Sequence, residues 1–160
     1  MQGSQAFLDS FFEQISHLGI DISQLTLDHI AYQAASAQDY DALKPSFMKQ
    51  GKEVSEEMVG GRRVGIFELH QPLKYKNYTI NAIELVEPRP DQTCDSMFQH
   101  AEFIWPQDFQ ILIEKYPHLN WDTSSMNRAD FPHLKFNFDN GLTLKFLHQP
   151  ILDMVREATH

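Results

Sequence analysis

Two histidines and one glutamate lie in strand-like segments where their side chains could meet. His29 is in DHIAYQ, Glu84 is in AIELVEP and His100 is in QHAEFI. Because successive strand residues point to opposite faces, each of the three is directed away from its apolar neighbours. A carboxylate in such an apolar setting is costly to bury unless it is paired or bound to a cation. The pattern predicts one divalent metal ion held by all three residues.

The types of donor atom limit which metal ions could bind. Imidazole nitrogen with carboxylate oxygen suits divalent first-row ions, and Zn, Fe, Ni and Mn are all compatible with this set. Three protein ligands leave room for water or for a bidentate substrate. A closed structural zinc site is disfavoured because the thiolates that would fill it are missing. The single cysteine, Cys94, lies in a polar segment without a CxxC partner and is interpreted as a loop thiol.

Each of these residues also has an ordinary structural interpretation when it is taken alone. A strand histidine is more often a hydrogen-bonded core or surface residue than a metal ligand, and Glu84 alone would fit a solvated strand face. His100 and Glu102 form a His-x-Glu pattern, which is weak evidence by itself. The joint placement in matching strands is what favours the metal hypothesis.

Several other polar residues keep alternative roles. Arg62 and Arg63 follow a glycine pair, where they could hold a substrate carboxylate at the mouth of the site or lie in solvent on a hairpin. His133 and Lys135 share a strand face whose direction the sequence does not give. Two more histidines precede Gln-Pro at strand ends and are predicted to be turn or rim residues: His70 and His148.

The N-terminal segment has the periodicity of an amphipathic helix over residues 1–19. Gly19 is the expected stop, and apolar residues recur at three- and four-residue spacings before it. We expect this helix to pack against the body of the domain. Phe-rich amphipathic ends can also form dimer contacts, so both a monomer and a homodimer remain open. The apolar positions are Phe7, Leu8, Phe11, Phe12, Ile15 and Leu18.

Strand-like and helix-like segments then follow twice in the order βαβββ, over residues 26–88 and 96–149. The first helix, AQDYDALKPSFMKQ, should be interrupted at Pro45, and Gly60-Gly61 should form a hairpin turn. In the second module, strands are predicted near WDTSSM, PHLKFNF and GLTLKFLHQ. The fold class is therefore α+β, with one domain over residues 1–160. The predicted core lies on the strand faces away from the metal and includes Ile30, Ile83, Leu85, Phe103, Leu144 and Phe146.

Charge and hydropathy argue against several classes of partner. The net charge is -9 and the basic residues are scattered, so a nucleic acid or an anionic membrane surface would be repelled. The longest apolar runs are only a few residues, and the N-terminus lacks the pattern of a signal peptide. We expect a cytoplasmic protein without a membrane span, whose partner is a small-molecule ligand or substrate.

The chain resembles the YecM family, a small bacterial group related to the glyoxalase/bleomycin-resistance/dioxygenase (vicinal oxygen chelate) superfamily. The resemblance runs from about Leu18 to the end, through LGIDISQLTLDHI, VSEEMVGGRRVGIFELHQP, AIELVEPRP, QHAEFI and LKFLHQP. It implies two βαβββ modules that form a cup-shaped mixed sheet. The first and last strands of each module would hold the metal inside it. His29, Glu84 and His100 match three of the ligand positions.

The remaining ligand position of the superfamily, commonly Glu in its metal enzymes, falls on Lys145. A protonated lysine would repel a metal ion, although Glu102 lies near enough in the pattern to offset the charge. Lys145 and Glu102 are therefore the candidate catalytic residues, and Lys145 would act as a cation or a base toward a bound substrate. In the alternative interpretation, Lys145 only neutralises Glu102 or Glu84 in a structural network.

Three functions remain as alternatives, the first two from this resemblance and the third from the N-terminal helix. The first is a metal-dependent isomerase, lyase or dioxygenase acting on a small vicinal-oxygen substrate. The second is a non-catalytic module with the same fold that binds or sequesters a small ligand. The third is a structural or interaction protein that dimerises through its N-terminal helix. The fold alone does not choose among them, because the superfamily contains both enzymes and binding proteins.

Overall fold

A computed structural model describes residues 1–158, in which seven strands form one sheet and four helices pack beside it. None of these helices is long and apolar enough to cross a membrane. The strands are β1 (Leu27–Gln33), β2 (Gly51–Val59), β3 (Arg62–Tyr75), β4 (Tyr78–Val86), β5 (Met97–Ile104), β6 (His133–Asn137) and β7 (Thr143–Leu147). The helices are α1 (Ser4–Leu18), α2 (Ala37–Gln50), α3 (Phe109–Lys115) and α4 (Ile151–Ala158).

The sheet has the order β2-β3-β4-β1-β5-β7-β6, and its pairing reveals the internal repeat. In the first half β1 runs parallel to β4, in the second β5 runs parallel to β7, and the two halves meet where β1 pairs antiparallel with β5. The predicted α+β class and the pairing of two related halves are therefore confirmed. Equivalent register pairs in the two halves are His29–Ala82 with His100–Thr143, and Ala31–Glu84 with Glu102–Lys145.

One face of the sheet packs against α1, α2 and α3 and forms the main hydrophobic core. The six residues predicted for this core are all fully buried in it: Ile30, Ile83, Leu85, Phe103, Leu144 and Phe146. Helix α1 adds the buried side chains of Phe7, Leu8, Phe11 and Ile15. The amphipathic pattern of α1 therefore reflects packing on the sheet.

The opposite face of the sheet is partly covered by α4, which the sequence analysis did not predict. Ile151 and Val155 of α4 form a second, smaller core cluster with Ile66, Ala82 and Leu147 of the sheet. Residues 151 and 155 are one helical turn apart, so α4 presents both to the sheet. The polar residues of the predicted metal site lie on this second face.

Two local predictions were wrong. Helix α2 continues through Pro45. Pro45 and Asp41 are both exposed, so water can solvate the Asp41 carbonyl that has lost its helical partner.

The WDTSSM segment is not a strand and forms only an isolated bridge between Asp122 and Lys135. The Asp122 carboxylate accepts hydrogen bonds from the backbone and hydroxyl of Ser124, and this local turn competes with strand pairing. The second half therefore has two strands after its helix, where three were predicted.

Candidate metal centre

Four buried side chains converge on the face of the sheet that α4 partly covers. They are His29 of β1, Glu84 of β4, and His100 and Glu102 of β5, and each offers a ligand atom within 4.8 Å of the others. The structure thus brings the three predicted ligands together. It adds Glu102, which the sequence analysis had placed among the catalytic candidates. The central pairing of β1 with β5 sets Glu102 beside His29.

The distances between the donor atoms fit one shared ion. His29 Nε2 lies 3.4 Å from Glu84 Oε1 and 3.4 Å from Glu102 Oε1. His100 Nε2 lies 3.2 Å from Glu84 Oε2 and 3.3 Å from Glu102 Oε1. Metal–ligand bonds of about 2.0–2.2 Å place neighbouring donors roughly 2.9–3.6 Å apart. The four histidine–glutamate separations therefore match those of donors that share one ion.

A neighbouring oxygen orients each imidazole in the same way. Nδ1 of His29 lies 2.6 Å from the carboxylate of Asp28, and Nδ1 of His100 lies 2.6 Å from Oε1 of Gln99. When Nδ1–H donates to that oxygen, Nε2 keeps its lone pair for the centre. This is the usual arrangement of metal-binding histidines. The Asp28 carboxylate also accepts a hydrogen bond from the backbone N–H of Ile151, which links the start of α4 to the site.

The surroundings of His29 Nε2 favour a bound cation. It is buried and has no hydrogen-bond partner, although two carboxylates lie beside it. Burial lowers the pKa of His29, but the charges of Glu102 and Glu84 outweigh it and raise this pKa well above its usual value. In turn, burial raises the pKa values of Glu84 and Glu102, and His29 and His100 outweigh that effect and lower them. Both carboxylates are therefore ionised, and a proton or a metal ion must lie between them and His29. The donor set fits a metal.

Lys145 does not belong to the four-residue cluster but borders it. It is the register partner of Glu102, and its Nζ lies 3.8 Å from Glu102 Oε1 with only 15% of the side chain exposed. By the register of the two halves, Lys145 corresponds to Glu84. The second half therefore carries a cation where the first half carries an acid, and its own acid lies on β5.

A cavity of about 160 Å³ opens beside the cluster. Glu84, His100, Glu102 and Lys145 contribute to its wall, and so do His133 and Lys135, whose direction was open in the sequence. Burial and the charge of Lys145 lower the pKa of His133, whose Nδ1 lies 2.8 Å from the carbonyl oxygen of Phe131. The remaining basic residues on the wall are Arg62, Arg89 and Arg128.

Other polar residues noted in the sequence lie outside the centre. Arg63 points away and pairs with Glu87 and Asp41. His70 is exposed. His148 stacks on Phe109 with ring centroids 4.0 Å apart. The Cys94 thiol lies 3.4 Å from the backbone oxygen of Ala34, in a segment without regular structure.

Sequence reasoning missed three residues around the centre. Asp28 could have been found, because an acid directly before a strand histidine can bind the outer nitrogen of its ring. Arg89 stands between two prolines in a predicted linker, and Arg128 lies in a segment without a motif. Neither arginine carries a local signal that would place it on the cavity wall.

The fold is shared with solved structures. The structural-genomics protein EC4020 superposes with a TM-score of 0.79 at 24% identity, covering 95% of this chain and 87% of that protein. A variant of the methylmalonyl-CoA epimerase of Streptomyces coelicolor, in complex with 2-nitronate-propionyl-CoA, superposes with a TM-score of 0.54 at 11% identity. That match covers 78% of this chain and 94% of the epimerase. At these identities the likeness is one of fold, and it confirms the glyoxalase-like architecture.

The sequence comparisons identify the family. Protein YecM of Escherichia coli (strain K12) is 27% identical over 106 residues, which are 66% of this chain and 56% of that protein. The chain thus spans just over half the length of the curated relatives that it matches. The family model described as YecM protein matches residues 1–153. Because this match covers nearly all of the sequence, the chain belongs to the YecM protein family.

Proposed function

We propose that this protein binds one divalent first-row metal ion through His29, Glu84, His100 and Glu102. We further propose that it acts as an isomerase or lyase on a small vicinal-oxygen substrate in the adjoining cavity. The observation that carries the proposal is the buried Nε2 of His29, which has no hydrogen-bond partner and faces two ionised carboxylates. A metal ion satisfies this nitrogen and both carboxylates together.

The number of protein ligands favours one class of reaction within the superfamily. When bound, the ion would polarise two substrate oxygens and stabilise negative charge on them. If the ion were six-coordinate, the four residues would leave two positions, which is the number that a bidentate oxygen ligand occupies. A dioxygenase would need a further position for dioxygen. The donor set therefore supports proton-transfer chemistry, as in an isomerase or lyase, over oxygen chemistry.

Lys145 is the proposed catalytic residue of the cavity wall. Its ammonium group lies 3.8 Å from Glu102 Oε1 and Lys145 lines the cavity, so it could donate a hydrogen bond to a substrate oxygen beside the centre. This donor would stabilise negative charge that develops on that oxygen. In this proposal Glu102 has two roles. It is a metal ligand, and its ion pair with Lys145 positions that residue.

A binding module without catalysis is the second candidate, and the ion pair between Lys145 and Glu102 favours it. If Lys145 only neutralises Glu102, the cavity still offers a polar pocket for a small ligand but contains no group that acts on it. Replacing Lys145 separates the two candidates. A Lys145→Met variant of an enzyme would bind the substrate but lose most of its turnover, whereas in a binding module the change would alter affinity alone.

The first experiment measures the metal content of untagged protein purified without chelator. We expect about one equivalent of a transition metal in the wild type and much less in the His29→Ala/His100→Ala variant. A His17→Ala/His70→Ala variant is the matched control, because it removes two exposed histidines outside the centre. Retention of metal in this control would separate the buried site from adventitious binding.

The opposite result would overturn the metal proposal. If none of the three proteins holds metal, even after reconstitution with Zn, Fe, Ni or Mn, then the four residues form a proton-sharing network. The protein would in that case be interpreted as a small-ligand binding module organised around Lys145. Equal metal content in all three proteins would instead place the ion elsewhere on the chain.

A further inference from the structure

The five arginines of the chain divide into two groups. Arg63 and Arg156 lie outside the cavity and each forms ion pairs with two acids. The other three line the cavity, and within the described residues none of them has a carboxylate partner: Arg62, Arg89 and Arg128. In a protein with 22 acidic and 13 basic residues, unpaired arginines on one cavity wall are unexpected.

Arg62 has the most constrained position of the three. It is the first residue of β3, directly after the Gly60-Gly61 turn, and it pairs with Val59 across the hairpin. Both glycines have positive φ values, 60° and 82°, which suits a tight two-residue turn. The hairpin therefore fixes the backbone from which the Arg62 side chain enters the cavity.

The Arg62 side chain is partly buried and has no ion-pair partner among the described residues. Its Nε is inaccessible to solvent and makes no hydrogen bond. The Arg89 guanidinium packs against the same turn, 3.8 Å from where a Cβ on Gly60 would lie. Burial and the charge of Arg89 lower the pKa of Arg62, and the charge of Glu84 only partly opposes them. Two guanidinium groups, one of them partly buried, thus lie near the same turn, and neither forms an ion pair among the described residues.

The cavity wall offers little to neutralise this charge. Apart from the two glutamates of the metal centre, its one acid is Glu57, which is exposed and forms no ion pair with any of the three arginines among the described residues. A buried guanidinium N–H without an acceptor, such as Nε of Arg62, is unfavourable, and a bidentate oxyanion is the partner that the planar group fits best. A ligand with a negative charge would supply this partner.

The register of β3 with β4 relates the position of Arg62 to the metal centre. Residues 62, 64 and 66 of β3 all line the cavity, and Ile66 pairs with Glu84. Arg62 and Ile66 are four residue steps apart on the strand, which is roughly 13 Å along the backbone. A ligand that reaches both places needs chelating oxygens at one end and an anionic group at the other.

We propose that Arg62, with Arg89 beside it, binds a carboxylate or phosphoryl group at the end of the substrate remote from the metal centre. The inference rests on the proposed function for the other end of the substrate. The anion site itself depends only on the arginines. It assigns the substrate to small anionic molecules, a class that the net charge of the protein alone would not indicate.

The test compares three probes that share the same 2-oxo acid end. 2-Oxopentanoate ends in a methyl group, 2-oxoglutarate carries a carboxylate in its place, and 2-oxo-4-phosphonobutanoate carries a phosphonate. Calorimetric titration of metal-loaded protein should give at least about tenfold tighter binding for one or both anionic probes than for 2-oxopentanoate. The better of the two identifies the group as carboxylate or phosphoryl.

Two variants make the assignment specific. Arg62→Gln should remove most of the preference for an anionic end, while Arg62→Lys should retain part of it, because the charge remains without the planar fork. Arg156→Gln is the matched control, since it removes the same charge outside the cavity, and its preference should equal that of the wild type. Equal affinities of the wild type for all three probes would overturn the proposal. A preference that survives in Arg62→Gln would also overturn it.

A second measurement does not depend on the metal. Chelator-treated protein is titrated with inorganic phosphate, and Arg62→Gln should bind it about tenfold more weakly than the wild type and Arg156→Gln do. If the protein holds no metal, the proposed chelation fails and the phosphate titration alone decides the anion site. Equal phosphate binding by all three metal-free proteins, or none by any of them, would reject Arg62 as an anion-binding residue.

Discussion

Glu102 and Lys145 are register partners on β5 and β7, with 3.8 Å between Oε1 and Nζ. The equivalent partners in the first half are Ala31 and Glu84. The acid that the repeat would place at position 145 is thus found on the neighbouring strand at position 102. The centre keeps two glutamates and two histidines, but they are not distributed symmetrically over the two halves.

This relationship predicts that a carboxylate at position 145 can replace the one at position 102. Glu102→Ala should weaken metal binding by about tenfold or more, because it removes one ligand and leaves Lys145 as an unpaired cation beside the centre. The Glu102→Ala/Lys145→Glu variant should recover most of the affinity, since its new carboxylate would take the position that Glu84 has in the first half. Metal dissociation constants measured by competition with a chromogenic chelator test this expectation.

The control for this exchange is Glu102→Ala/Lys145→Met. It removes the lysine charge without supplying an acid, and we expect it to recover only the part of the affinity that repulsion had cost. If this control restores metal binding as fully as Glu102→Ala/Lys145→Glu does, the recovery comes from removal of the lysine charge. Position 145 would then not be able to supply a ligand.

The second prediction concerns Asp28, which orients the His29 ring. Asp28→Asn should lower the metal affinity by about 10- to 100-fold, because a neutral amide holds Nδ1–H less strongly and makes the imidazole a weaker ligand. The amide oxygen can still accept the hydrogen bond from Ile151, so α4 should remain in place. Asp153→Asn, on the exposed side of α4, is the control and should leave the affinity unchanged. An Asp28→Asn protein with wild-type affinity would contradict an orienting role.

The third prediction is a pH dependence of metal binding. The carboxylates of Glu102 and Glu84 hold the pKa of His29 well above its usual value, so metal-free protein carries this proton at pH 7. A metal ligand must be neutral imidazole, and binding therefore releases the proton. Below the raised pKa of His29, the affinity should fall about tenfold for each unit by which the pH is lowered.

Calorimetry in buffers of different ionisation enthalpy measures the number of protons released when the metal binds. At pH 7 about one proton per bound ion should appear in the buffer. An observed binding enthalpy that is independent of the buffer would mean that His29 is already neutral in the metal-free protein. The two glutamates would then not control its protonation.

Strand alternation was sufficient to predict both faces of the sheet. Ile83 and Glu84 are adjacent, and period-two placement alone assigns one to the core and the other to the site. The same rule requires Arg62 and Arg63 to diverge. Which of the two enters the cavity depends on the hairpin register set by the Gly60-Gly61 turn.

Long-range register is what the sequence could not supply. The role of Glu102 depends on the pairing of β1 with β5, which places it opposite His29 and joins segments far apart in the chain. The weak internal repeat pointed to position 145 for this acid. Helix α4 was missed for a different reason, because its eight residues contain too few turns for periodicity to stand out.

The last prediction concerns α1, whose Phe-rich face could pack on the sheet or form a dimer. Phe11 is fully buried, and its ring centroid lies 5.3 Å from that of Phe7 and 5.6 Å from that of Phe138. Phe11→Ala should therefore lower the free energy of unfolding by about 3–5 kcal/mol, as expected for a large cavity in a packed core. Glu13→Ala, at an exposed position of the same helix, should change it by less than about 0.5 kcal/mol.

Urea denaturation measures both values, and light scattering of the same samples measures the oligomeric state. Packing on the sheet predicts a large loss of stability in Phe11→Ala with no change in mass. A small loss of stability together with a change from dimer to monomer would contradict it. The contacts of Phe11 with Phe7 and Phe138 would then contribute little to the stability of the fold, and α1 would mainly hold a second copy of the chain.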